Sequence, residues 1–303
     1  MTLQALRNGG KRALAAALVD LERDSDSDAA LALLGEAWRS PKALVLGVTG
    51  PPGVGKSSLC AALLAAWRRD GLRVAVIAAD PSSKASGGAL LGDRVRIVHG
   101  ATDGGVFVRS MAARDRLGGL ADQILPAMVL MRALFDRVLI ETVGVGQSET
   151  DVAGFADTVM FCVPPGAGDS LQFMKAGIVE IPHLVVVTKA DLGAAAEQAR
   201  CRWRRPAMTG RPACWPCPRA AARVWRPWKR PRRRIGRIWR RTGRLAVARH
   251  RQAEGWIAEA LRDRFGRQGL ARLAGLGFDL SVAAGAQPFG RLRELAAALE
   301  GRR

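Results

Sequence analysis

Hydrophobic residues recur along this chain with two rhythms, one helical and one of short runs too brief for a helix. Thr2 to Leu34 is rich in Ala and Leu at helical spacing, broken by Ser and Asp from Asp24 to Asp28, and predicts two helices with a capped turn between them. Ala43 to Val48 is the first strand-length apolar run; Arg73 to Ala79, Phe107 to Arg109, Arg137 to Ile140, Asp157 to Val163 and Leu184 to Val187 are the others. Helical spacing returns between them, from Leu59 to Leu64, Leu117 to Phe135 and Leu171 to Val179. Pro126, inside the second of these, is expected to cost about 3 kcal/mol or force a kink. Strands alternating with helices imply right-handed crossovers and a mostly parallel sheet covered by helices on both faces. Glu254 to Leu299 is helical sequence again, with Gly266, Gly269, Gly275 and Gly277 as expected breaks, and reads as a helical appendage to the sheet.

Chemistry-bearing residues sit where the strands end. After the first strand come Gly50, Pro51, Pro52, Gly53, Val54, Gly55, Lys56, Ser57 and Ser58, a phosphate-loop spacing between a strand and a helix. Glycines let backbone amides turn inward around phosphates, the helix N-terminus adds positive dipole, Lys56 reaches the β and γ oxygens, and Ser57 can ligate magnesium. Asp80 closes the second strand beside that loop, where ligands bind in parallel α/β sheets. It is a magnesium-shell residue or a capping Asp before Pro81. Ser86, Gly87 and Gly88 open a glycine-rich stretch through Gly92, Asp93 and Arg94 that fits a switch loop. Glu141 closes another strand with Gly144 three residues on, a Walker B and switch pattern with Glu in place of the usual Asp. Glu141 would hold magnesium through water, and the Gly144 amide would touch the γ-phosphate. Thr188, Lys189, Ala190 and Asp191 follow the last strand as a guanine-recognition tetrad with Thr where Asn is usual. The Asp191 carboxylate can accept from guanine N1–H and the exocyclic amine, which adenine cannot reciprocate.

A net charge of +20 would point to nucleic acid or an anionic membrane if it were spread over the chain. It is not. Of 47 Lys and Arg residues, 19 fall between Gln198 and Ala253, where there is no Asp or Glu, leaving 28 basic against 27 acidic residues elsewhere. Trp203, Trp215, Trp225, Trp228 and Trp239 interleave with those arginines, the materials of a nucleic-acid-binding NTPase, which stands as one alternative. No apolar run has the length of a membrane span. Asp20 and Glu22 follow Ala13 to Val19 with no small-residue cleavage site, so that stretch reads as an amphipathic helix and not a secretory signal. Five irregularly spaced cysteines fit a reducing compartment, and the expected location is the cytoplasm. A metallochaperone GTPase is a second alternative. It should carry His/Cys-rich loops, whereas His99, His183 and His250 are isolated and Cys214 and Cys217 have no second pair.

Several stretches together resemble a known family: GPPGVGKS from Gly50, DPSS from Asp80, SGGALLGDRVR from Ser86, LGGLA from Leu117, ETVGVGQSE from Glu141 and PPGAGDSLQFMKAGIVEI from Pro164. They are similar to the methylmalonyl-CoA mutase-associated GTPases, MeaB-like proteins once labelled lysine/arginine/ornithine transport ATPases, in the dimerising SIMIBI class of P-loop GTPases. The resemblance runs from about Leu6 to Arg200 and again, more weakly, from about Gln252. It implies a homodimeric, magnesium-dependent GTPase with GTP as substrate. Its partner would be an adenosylcobalamin-dependent mutase, which it chaperones by gating cofactor loading and protecting against inactivation. In that family, residues matching Lys56, Ser57, Asp80, Asp93 and Glu141 serve phosphate and magnesium. Three departures stand out: Thr188 replaces the usual Asn, Ile181, Pro182 and His183 stand where an acidic residue is common, and the final Ser-Ala guanine loop is unrecognisable.

The expected organisation is a helical extension over residues 1–40, a GTPase core over 41–197, an aberrant basic segment over 198–251 and a helical dimerisation region over 252–303. The basic segment has the composition of a GC-rich gene read out of frame. Five of the chain's eight Trp and six of its fifteen Pro lie between Cys201 and His250. Arginine codons of the CGN type read one base later give Ala, Gly, Val, Asp or Glu, which would restore the missing acids. As translated, residues 200 to about 249 are expected to be disordered, to displace the last strand and the guanine loop, and to touch nucleic acid only adventitiously through charge.

Overall fold

A computed structural model describes residues 1–81, 103–113, 121–142, 152–165, 182–198, 213–216, 244–283 and 285–301. Helices α1 (Leu3–Arg23) and α2 (Asp28–Arg39) precede β1 (Leu44–Thr49), α3 (Lys56–Arg69), β2 (Val74–Pro81) and β3 (Val106–Ala113). Then come α4 (Ala121–Leu134), β4 (Arg137–Glu141), β5 (Thr158–Val163), β6 (Leu184–Val187), β7 (Ala213–Pro216), α5 (Arg244–Gly275) and α6 (Pro288–Glu300). The strands form one sheet in the order β3-β2-β4-β1-β5-β6-β7, with every pairing parallel. The fold is thus the α/β P-loop architecture that the alternating elements imply. None of its helices, among the described residues, is long and apolar enough to cross a membrane.

Period-2 alternation within the strands divides the core into two layers. Ala75 and Ile77 of β2, Val138 and Ile140 of β4 and Val45 of β1 face a large cluster shared with α1, α2, α4, α5 and α6. Val74, Val76, Leu139, Val48, Met160 and Cys162 face the opposite layer, where α3 packs through Leu59, Cys60, Leu63 and Trp67. The C-terminal helices therefore share a core with the sheet: Trp256, Ile257, Ala260, Leu261, Phe289, Leu292 and Leu295 join α2 and α4 there. Full burial of one such Leu or Phe side chain is worth about 1.5–3 kcal/mol. Side chains cap three of these helices. Thr2 accepts from the Ala5 amide, Ser27 from Ala30 and Gln287 from Gly290, and Pro288 occupies the first turn of α6.

Differences from the sequence expectation have local causes. β3 extends to Ala113 instead of stopping at Arg109, because all eight of its residues register with β2 and, as the edge strand, it tolerates Arg109 and Ser110. Pro126 lies inside α4, which continues to Leu134 because Leu125, Ala127, Met128 and Val129 are buried around it. Of the expected glycine breaks, Gly266 interrupts α5 with φ 70°, but Gly269 lies within that helix. The basic segment supplies a last strand after all, since Ala213 to Pro216 pair with Leu184 to Val187. Helix α5 also begins at Arg244, earlier than Gln252. The helix expected over Leu171 to Val179, His99, and residues 199–212 and 217–243 lie outside the described residues.

Two polar anchors tie distant elements together. At the lower edge, Arg68 donates to both carboxylate oxygens of Asp103, at 2.7 and 2.8 Å, the Gly105 amide donates to Asp103 Oδ1, and Lys11 of α1 donates to the Asp103 carbonyl. The Arg68 guanidinium first, and then the Gly105 amide, pull the Asp103 carboxyl down to about 2. A depressed folded pKa makes the contribution complete above the unfolded value, near 4, and removes it as pH falls through about 2. Acid unfolding of Asp103→Asn is therefore expected to show less loss of stability between pH 4 and 2 than the parent, read from melting temperature against pH.

The second anchor is buried beneath β1 and β5. Arg249 of α5 donates to both oxygens of Asp157 at 2.7 Å and to the Ala43 carbonyl at 3.0 Å, while Asp157 also accepts the Val45 amide at 2.8 Å. Arg132, stacked 4.9 Å over Trp38, lies nearby. Burial, with Arg249's guanidinium close, pushes its own guanidinium down to about 9. Its carbonyl accepts from the Lys42 and Ala43 amides. Next to this group, His183 Nδ1 accepts the Val159 amide and His250 pairs with Glu254; among the described residues neither belongs to a metal-ligand cluster.

Candidate phosphate and guanine site

The strand order switches at β1, with β4, β2 and β3 on one side and β5, β6 and β7 on the other, so a crevice opens beyond the carboxyl end of β1. Residues 50–55 fill that position. Gly50 takes φ 138°, Gly53 φ 68° and Gly55 φ 103°, all in the region that favours glycine. At Gly50 the reason is also steric, since a Cβ would stand 2.4 Å from the Cys162 carbonyl oxygen of β5. Gly50→Ala is expected to lower nucleotide affinity by at least about tenfold and to depress the melting temperature, because strain and clash act together; nucleotide titration and thermal melting check both. Val54, 2% exposed, anchors the loop tip in the layer under α3.

α3 then begins differently from its capped neighbours. Gly55 offers no side chain, and no side-chain cap closes its first turn. Its leading amides therefore face the loop with the positive end of the helix dipole, which is anion-binding geometry. Lys56 is 7% exposed, and its ammonium donates to the Gly50 carbonyl at 2.8 Å and the Pro51 carbonyl at 2.9 Å. Its tip is thereby held over the same cradle. Ser57 Oγ donates to Glu141 Oε1 at 2.7 Å, joining loop and β4 across 84 residues of sequence. Thr142, the next residue, fixes that strand end: its hydroxyl donates to Thr49 at 2.9 Å and its amide to the Val48 carbonyl.

A hydroxyl and a carboxylate brought together are hard oxygen donors, and they fit magnesium, which keeps several waters and takes few protein ligands. Among the described residues there is no group of three or more His, Cys, Asp or Glu able to hold a metal. Asp80 lies on β2 two residues beyond Ala78, which registers with Glu141, so its backbone stands at the same carboxyl end of the sheet as Glu141. Asp93 and Gly144, as well as the 82–102 stretch, lie outside the described residues.

The base-recognition tetrad lies two strands away, after β6. Thr188 is 4% exposed; its hydroxyl and its amide both donate to the Val163 carbonyl of β5, at 3.1 and 2.9 Å. Thr at this position thus closes the β5–β6 seam. Lys189 takes φ 50°, an uncommon left-handed conformation for a lysine, and directs the chain into a short 3₁₀ turn over Ala190–Leu192 that leaves Asp191 exposed. Sequence reasoning missed Thr49 and the Arg249–Asp157 clamp. Only the last had a legible signal: Arg249 is in helical phase with Ala253, Trp256, Ile257 and Ala260.

Comparison with known proteins gives a consistent picture. The family described as methylmalonyl-CoA mutase-associated GTPase MeaB matches residues 12–266. A Pyrococcus horikoshii protein provisionally named a GTPase is 45% identical over 190 residues, 62% of this chain and 60% of its own length. The mouse protein named methylmalonic aciduria type A homolog, mitochondrial, is 42% identical over 152 residues, 50% of this chain and 37% of its own. The chain thus spans about three fifths of the length of the first curated relatives it matches. Among solved structures, one described as a LAO/AO transport system kinase superposes with a TM-score of 0.63 at 27% identity, covering 98% of this chain and 96% of that one.

Proposed function

The chain belongs to the family of methylmalonyl-CoA mutase-associated GTPases of the MeaB type, and from that premise we propose that it is a magnesium-dependent GTP hydrolase serving an adenosylcobalamin-dependent acyl-CoA mutase. The observation that carries the catalytic half is the Ser57–Glu141 contact beside Lys56, at the open N-terminus of α3. Loop amides at 50–56 bind and orient the phosphates. Lys56 exchanges the Gly50 and Pro51 carbonyls for phosphate oxygens and stabilises charge developing on the transferred group. Ser57, Glu141, Asp80 and Asp93 would hold magnesium, which when bound would supply neutralisation of phosphate charge. Asp191 selects guanine, with Lys189 beside it and Thr188 bracing the loop.

The mutase half rests on family membership. Acting as chaperone, the protein gates cofactor loading and protects the mutase, working as a homodimer whose second copy meets the C-terminal helices. The test is binding of a purified adenosylcobalamin-dependent acyl-CoA mutase to the folded protein with GDP, with a non-hydrolysable GTP analogue and without nucleotide. Nucleotide-dependent association is expected. No association in any state would overturn the mutase assignment and leave the GTPase assignment standing.

The basic segment enters this function as a defect. Its reading frame is shifted between about Arg200 and Gly243; Arg249, earlier grouped with it, is excluded because it is a specific partner of Asp157. Resequencing the locus tests this. Two compensating single-base changes, with a strand and a Ser-Ala loop in the alternative frame, are expected; reads that confirm the printed frame contradict it.

A further inference from the structure

β1 and β4 stay in register as far as Val48 and Glu141. One more backbone bond follows, from the Thr142 amide to the Val48 carbonyl at 3.1 Å, and β1 then gives way to the loop at 50–55. Thr49 itself remains registered with Phe161 of β5 on its other side. Where the backbone seam with β4 stops, a side-chain bond continues it: the Thr142 hydroxyl donates to the Thr49 hydroxyl at 2.9 Å. The two residues are 5% and 1% exposed, and among the described residues neither hydroxyl has another partner. Strand alternation puts the pair on the face of the sheet opposite α3, with Val45 of β1 and Val138 and Ile140 of β4. Two residues back on that face, Gly47 lies so close to the turn Val152–Gly154 that a Cβ would stand 2.5 Å from Val152 Cγ2. One face of β1 thus meets the chain both where it leaves β4 and where it returns at Val152.

We propose that Thr49 is a positioning residue for GTP hydrolysis, its hydroxyl holding the end of β4 at a fixed distance from the strand that feeds the phosphate loop. A valine would fill the same outline in this apolar layer, so the hydroxyl is the part that packing does not require. Loop amides and the open end of α3 bind phosphate by themselves, and the spacing of β1 and β4 beyond residue 48 is not needed to hold GDP. It is needed when groups on the loop and groups at the end of β4 converge on the transferred phosphoryl, where a displacement of about 1 Å can cost about 10²-fold. This inference rests on the reading of the chain as a GTP hydrolase with Lys56 in its phosphate loop.

The test compares, on the full chain, the single-turnover rate of GTP hydrolysis, affinity for a fluorescent GDP analogue and the melting temperature of the parent, Thr49→Val, Thr142→Val, the double valine variant, Thr49→Ser and Lys56→Ala. Each single valine change strands one buried hydroxyl, so it is expected to lower the melting temperature and to slow hydrolysis on the order of tenfold, with affinity for the GDP analogue unchanged. The double variant strands neither hydroxyl. It should recover the melting temperature yet remain slow, which separates the role in turnover from a role in folding alone. Thr49→Ser, which keeps the hydroxyl, should hydrolyse GTP at the parent rate. A double variant as fast as the parent, a Thr49→Ser protein as slow as Thr49→Val, or a loss of analogue affinity that matches the loss of rate would overturn the proposal. If Lys56→Ala is slowed and the valine variants are not, the hydrolase reading stands and the role of Thr49 has failed. If Lys56→Ala and the parent turn over GTP alike, the hydrolase reading itself has failed and the proposal falls with it.

Discussion

Replacing Lys56 with alanine is expected to reduce GTP turnover by at least about 10²–10³-fold, the range found when one preorganised donor to developing charge is removed. The loss is expected mainly in kcat, because loop amides from 50 to 56 and the open end of α3 still bind phosphate in the ground state. A second effect adds to it here. The Lys56 ammonium bridges the Gly50 and Pro51 carbonyls, so its removal also loosens the loop that carries those amides. Lys56→Arg keeps the charge but not the compact tip, and is expected to recover binding more than turnover. Steady-state kinetics with saturating magnesium separate the two: unchanged kcat in Lys56→Ala would remove Lys56 from the catalytic step.

The largest stability effect is expected far from the nucleotide, at the clamp under β1 and β5. Breaking a buried ion pair by deleting one partner costs about 3–5 kcal/mol, because the other charge remains buried without compensation. The two deletions should differ. Asp157→Ala leaves the Arg249 and Arg132 guanidiniums facing each other and frees the Val45 amide from its acceptor. Arg249→Ala leaves Asp157 with the Val45 amide and the attraction of Arg132. Asp157→Ala is therefore expected to be the more destabilising, lowering the melting temperature on the order of 10 °C, with Arg249→Ala smaller. Equal shifts of a degree or two for both would show that the clamp is not buried in solution.

What could be read from the chain before its structure follows from how local each feature is. The phosphate loop was legible because its glycines, Lys56 and Ser57 are consecutive and lie between a strand and a helix, and the structure places them at the head of β1. β4 and β6 were legible because four buried residues in succession admit few other conformations. Pairings across long separations were not. Helical phase puts Arg249 on the core-facing side of α5, but Asp157 is 92 residues away and nothing in either neighbourhood specifies the other as its partner. Ser57 and Glu141 were each assigned to magnesium, but their direct contact depends on the sheet order that sets β4 beside β1. Thr188 stood out as a departure from Asn, yet that it closes the β5–β6 seam through Val163 could not be seen without the strand pairing.

Competition between GTP and ATP for the magnesium-loaded protein, in the parent and in Asp191→Ala, tests the central claim most directly. A site that accepts hydrogen bonds from guanine leaves its carboxylate unsatisfied by adenine, so the parent should prefer GTP by at least about 100-fold, and Asp191→Ala should erase most of that preference without lowering affinity for ATP. Equal affinity of the parent for the two nucleotides would contradict the account.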